Sequence, residues 1–146
     1  MESNTVINHK IQGIIAKAIT TEKVYKNFAE NVTNQSLKKY LNSKVLQRNS
    51  LIKELKTFLM KSQELTFEAD INISNYKQTN SSKNDDQTIL EKSISIEKDI
   101  LNHLEDILDK EYITMDLRNI LSNHYNSIKI EFESIKTLDD IHKAYS

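Results

Sequence analysis

Four polar residues, Glu22, Arg48, Glu97 and His124, interrupt four otherwise apolar stripes. Two carboxylates and an imidazole are the donor types that hold iron or manganese, or pass protons, inside helical bundles. Glu131, seven residues beyond His124, adds a further oxygen donor on the same helical stretch. An arginine among them argues for different chemistry. Its rigid fork of N–H groups pairs with carboxylates, and it brings positive charge to the place where a metal cation would need compensation. The preferred reading is therefore a structural polar layer in which Arg48 bridges Glu22 and Glu97 and His124 completes the bonding. The alternative is a metal or proton-transfer site built from Glu22, Glu97, His124 and Glu131. Tyr25 and Tyr125 are candidate supporting hydroxyls, and no catalytic residue is assigned.

These residues converge only if the segments carrying them pack together. Ile11, Ile14, Ile15, Ala18, Ile19, Tyr25, Phe28, Ala29 and Val32 recur at three- and four-residue spacing, which predicts a helix over about 5–32. "NVTNQS" breaks it, with Asn34 or Ser36 able to cap a second helix over about 35–61. That helix turns Leu37, Tyr40, Leu41, Val45, Leu51, Ile52, Leu55, Phe58 and Leu59 inward. Asp85 or Asp86 caps a third helix reaching about 111, and Thr114 caps a fourth. The third is lined by Ile89, Leu90, Ser93, Ile96, Ile100, Leu101, Leu104, Ile107 and Leu108. Leu117, Ile120, Leu121, Ile128, Phe132, Ile135 and Leu138 line the fourth.

Between the second and third helices the stripe is lost. Residues 62–85 read as a mostly irregular crossover, with a short helix or an extended piece around "DINIS" as variants and Phe67, Ile71, Ile73 and Tyr76 as anchors. So long a connection makes sense if it travels the length of the bundle. The expected architecture is all-α: one domain over residues 1–146, two antiparallel hairpins joined by a long crossover, in ferritin-like order. In that order Glu22, Arg48, Glu97 and His124 fall near one height.

Composition supports helices and removes several functions. The 146 residues contain no proline and one glycine, and enough aliphatic side chains to fill a core. The absence of cysteine excludes disulfides, thiol nucleophiles and thiolate metal sites. A formal net charge of -1 gives no basic signal for nucleic acid. No stretch approaches the roughly 20 apolar residues that span a bilayer, and the N-terminus lacks a basic then apolar leader, so a cytoplasmic protein is expected. Gly13 cannot form a phosphate-binding loop and is read as permitting close helix packing. His9, His103 and His142 are expected to face solvent.

The stretches "YKNFAENVTNQSLKKYL", "LQRNSLIKELKTFL" and "IEKDILNHLEDIL" resemble bacterial four-helix-bundle proteins of uncharacterised function in the ferritin-like superfamily, over about residues 6–138. The resemblance implies a ferritin-like bundle without an assured activity. Iron-carboxylate relatives carry single glutamates on the first and third helices and Glu-x-x-His on the second and fourth. Glu22 and Glu97 match the single-glutamate positions. The second helix instead offers Gln47 and Arg48, with Ser50 and Leu51 three residues on, and Leu121 stands three before His124.

The expected function is accordingly a non-enzymatic helical scaffold or protein-interaction module without a cofactor. It would associate with itself or with another protein, using Val24, Ile94, Ile113 and Ile130 as outer apolar surface. The alternative is a divergent ferritin-like iron- or manganese-binding protein or oxidoreductase.

Overall fold

The computed structural model describes residues 2–61, 85–110 and 112–144, with side chains described over 5–61, 85–110 and 112–140. Four α-helices account for nearly all of them: α1 Glu2–Asn31, α2 Gln35–Lys61, α3 Asp86–Leu108 and α4 Met115–Ala144. The expected crossover, its "DINIS" variants and its anchors Phe67, Ile71, Ile73 and Tyr76 lie outside the described residues, as does the side chain of His142.

The starts of α2, α3 and α4 follow from their caps. Asn34 Oδ1 accepts from Leu37 N at 2.9 Å, Asp85 Oδ1 from Thr88 N at 2.8 Å and Thr114 Oγ1 from Leu117 N at 3.2 Å. At its C-terminal end α3 is held by a side chain from the next helix: Arg118 donates to the carbonyls of Leu108 and Lys110 at 3.1 and 3.0 Å. That satisfies carbonyls a helix end leaves without partners.

Side-chain pairs set the direction of each helix. Lys10 meets Asp106 and Lys17 meets Asp99, so α1 and α3 are antiparallel. Only residues 32–34 separate α1 from α2, and Arg48 meets Thr21 at similar distances on either side of that turn, so α2 runs back against α1. Glu54 meets His124 and Lys44 meets Glu131, which sets α4 against α2. The result is an up-down-down-up bundle, the ferritin-like order. The end of α2 and the start of α3 lie at opposite ends of it. Each of α2 and α3 packs on α1 and α4, so α2 and α3 face each other across the diagonal.

The core is two apolar clusters. One holds Ile11, Ile14, Leu51, Leu55, Leu104, Ile107, Leu117 and Leu121. The other holds Tyr25, Phe28, Val32, Leu37, Leu41, Ile89, Leu90 and Ile135. Buried positions recur at steps of four and three: 7, 11, 14, 18, 21, 25 and 28 on α1, with Val32 just beyond it, and 37, 41, 44, 48, 51, 55 and 59 on α2. This spacing keeps one face of each helix toward the core along its length.

Several inward assignments change. Leu138 is 54% exposed, and Asp139 takes the buried position, four residues after Ile135, where it accepts from Gln87 Nε2 at 2.8 Å. Val24, expected outside, is buried in the second cluster, and Ile94 and Ile113 pack against core residues, while Ile130 is exposed. Gly13 faces open space: a Cβ there would meet nothing within 4 Å, so no close helix contact depends on it.

Candidate functional site: a buried ion-pair layer

The two apolar clusters are separated by charge. Arg48 and Lys44, from successive positions of the α2 seam, and Glu97, from α3, all have side chains with no exposed surface. Burying such charges is costly unless they are paired and hydrogen-bonded. Here they are. Arg48 Nη2 donates to Glu97 Oε2, its Nε donates to Thr21 Oγ1 at 3.2 Å, and its Nη1 donates to Gln47 Oε1 at 3.1 Å. The Tyr25 hydroxyl donates to the same Glu97 Oε2 and lies 3.4 Å from the Ser93 carbonyl. Lys44 Nζ lies 3.1 Å from Glu97 Oε1, an ion pair out of line for a hydrogen bond. Its bonds go instead to Glu131 Oε1 and to Gln47 Oε1 at 3.0 Å. Gln47 closes the ring by donating Nε2 to Glu131 Oε1 at 3.2 Å.

Two aromatic rings complete the enclosure. Arg48 Cζ sits 5.7 Å from the Tyr25 ring centroid and Lys44 Nζ 5.4 Å from that of Tyr40, both within cation–π range. Burial pushes the Tyr25 and Tyr40 hydroxyls well up, and the Glu97 carboxylate adds to both shifts, so both stay neutral donors. Among the described residues the buried Tyr40 hydroxyl has no hydrogen-bond partner. Glu97 is subject to opposing effects: burial raises its pKa, but Arg48 and Lys44 lower it, and the net result is a carboxyl held below its ordinary value.

The four residues singled out from sequence do not all meet. Arg48 and Glu97 do. Glu22 is one position, about 100° of helix rotation, off the seam occupied by Thr21. It accepts from Asn49 Nδ2 at 3.3 Å and makes no bond to Arg48. His124 is buried but lies lower, with Nε2 at 3.1 Å from Glu54 Oε1. Glu54 is six residues, about 9 Å of rise, beyond Arg48 on α2. Of the two tyrosines, Tyr25 belongs to the layer, whereas Tyr125 donates to Glu105 at 2.9 Å near the surface, on the α3 side of α4. From α4 it is Glu131 that reaches the layer. His9 and His103 are exposed.

Thr21, Lys44 and Gln47 were missed. A signal for the first two is present: both fall on the four- and three-residue spacing of their helices, which a stripe drawn only through apolar residues steps around. Gln47 carries no such mark. It is one turn from Lys44 and beside Arg48, and its role as shared acceptor emerges only from packing.

The donor set does not suit a metal. Glu97, the central carboxylate, has each oxygen against a protein cation. Glu22, His124 and Glu131 are directed to three different partners. Among the described residues no group of three or more His, Cys, Asp or Glu side chains is arranged to hold an ion. Among them, also, no helix is long and apolar enough to cross a membrane. Comparison with family models, curated proteins and solved structures gives no match.

Proposed function

We propose that this chain is a cytoplasmic, non-enzymatic helical scaffold or protein-interaction module, of ferritin-like ancestry, that associates with copies of itself or with a protein partner. The observation that carries the proposal is the clamping of Glu97 between Arg48 and Lys44. In an iron-carboxylate bundle the inward carboxylates converge on a cation; here two side-chain cations from one helix take that electrostatic place. The interior is then best accounted for as a device that selects one helix register, the role for which buried polar groups are best attested. The outer surface would carry the function. Val6, Met60, Tyr112 and Met115 are exposed apolar residues whose helix-end positions all fall at one end of the bundle, opposite the α1–α2 turn. They favour an interaction surface there.

Metal analysis of protein purified without strong chelators, followed by iron and manganese titration, tests the interior. Stoichiometric binding abolished by Glu22→Gln or Glu97→Gln would replace this reading with the metal-binding or oxidoreductase alternative. Sedimentation across a concentration series tests the surface. Self-association is expected to weaken in Met60→Glu/Met115→Glu, and a chain that stays monomeric and captures no partner through this end argues against the module.

A further inference from the structure

A cavity of about 540 Å³ lies beside the α1–α2 turn, where the first turns of α2 and α3 meet the later half of α4. That volume is within the roughly 300–1,000 Å³ range that takes a small organic molecule. Leu37, Leu90, Ile135 and Leu138 give it an aliphatic wall, and Tyr40 and Glu131 bound it on the side of the ion-pair layer. Among the described residues no Lys, Arg or His lines it.

The charge of the ligand follows from which groups are already engaged. Both bordering helix N-termini are satisfied from within: Asn34 caps α2, Asp85 caps α3, and Asp86 accepts from Thr33 and Asn34. Their attraction for an outside anion is met internally, and the Asp86 and Glu131 carboxylates oppose one. Glu131 is different from Asp86. Its side chain is 42% exposed, and Oε1 takes the bonds from Lys44 and Gln47, leaving the acceptor capacity of Oε2 unused by them. In the layer behind, the cations Arg48 and Lys44 are matched by Glu97 and Glu131, so Asp86 leaves the cavity wall net negative.

The geometry points to this cavity as a binding site for a small organic cation, an amine with an apolar body. Glu131 accepts its head, and Leu37, Leu90, Ile135 and Leu138 pack against its body. This inference does not depend on the scaffold reading, since it concerns neither the metal content nor the association of the chain.

Titrating the methyl-labelled full chain with phenylbutylamine, phenylbutanol and phenylbutyrate tests it, because the three probes share one body and differ in head charge. The amine is expected to bind saturably, with methyl shifts centred on the four aliphatic residues, about tenfold tighter than the carboxylate. Glu131→Gln should bring the amine's affinity down to that of the alcohol. Leu138→Arg, at a half-exposed position whose replacement spares the core, should weaken amine and alcohol alike. The inference fails if the carboxylate binds as tightly as the amine, if no probe saturates, if the shifts lie elsewhere, or if a folded Glu131→Gln protein keeps full preference for the amine. Should that variant unfold, unchanged binding to Leu138→Arg overturns the site by itself.

Discussion

Arg48 and Glu97 meet across the diagonal of the bundle, joining α2 to α3, two helices that otherwise pack on α1 and α4. Their contact ties the two hairpins together at mid-height. A shift of either hairpin by one turn, about 5.4 Å, would leave both charges buried against apolar neighbours.

Removing one partner should therefore cost more than removing all. Arg48→Met leaves Glu97 with Lys44 as its one remaining cation among the described residues, and a loss of about 3 kcal/mol is expected in denaturant-induced unfolding. The triple replacement Lys44→Met/Arg48→Met/Glu97→Leu should recover most of that loss. A triple variant as unstable as the single one would show that stranded charge is not the cause.

The hydroxyl of Tyr25 donates to an ionised acceptor that is out of contact with water. Tyr25→Phe should cost about 2 kcal/mol while leaving helix content unchanged by circular dichroism. Tyr125→Phe, at a surface bond to Glu105, should change stability by less than about 0.5 kcal/mol and serves as the control.

Acid should loosen the layer. Burial raises the pKa of Glu97 but Arg48 and Lys44 outweigh it, so the folded value lies below the ordinary 4.5. The unfolded chain then binds more protons in that window, and stability rises with pH there. The contribution is complete above about pH 4.5 and is lost as pH falls through the lower folded value. Asp86, lowered chiefly by the backbone N–H of Thr33, acts in the same direction. A stability–pH profile of Glu97→Gln should be flatter below pH 4.5 than that of the parent; parallel profiles would remove Glu97 from the acid transition.

Gly13 lies in the middle of α1 with open space where a side chain would be. Gly13→Ala should stabilise the protein by about 1 kcal/mol, through the lower conformational freedom of alanine in the unfolded chain and its higher helix propensity. A thermal melt reads this directly. A lower melting temperature would mean that position 13 has a neighbour after all.

The clasp around Asp86 joins the α1–α2 turn to the start of α3: its carboxylate accepts from Thr33 N, Thr33 Oγ1 and Asn34 N at 2.8–2.9 Å. Asp86→Ala should cost about 1 kcal/mol at this partly exposed position and speed hydrogen exchange at Thr33 and Asn34. Unchanged exchange at those amides would show the clasp to be dispensable.

The sequence alone determined the local physics. Apolar spacing defines four helices, cap residues narrow three of their starts to Asn34 or Ser36, Asp85 or Asp86, and Thr114, and a charged residue mid-stripe announces that something polar is buried. These are properties of neighbours three or four residues apart, which a single chain displays. Partners across the bundle are another matter. One residue of phase, about 100°, decides that Thr21 and not Glu22 meets Arg48, and six residues of height decide that His124 meets Glu54 while Glu131 meets Lys44. Both depend on how far each helix slides and turns on its neighbours, which is settled by the summed packing of two apolar clusters and the pairing of every buried charge. Only the tertiary structure resolves that sum, because the partners of Glu22, His124 and Glu131 are set by what the other helices bring to them.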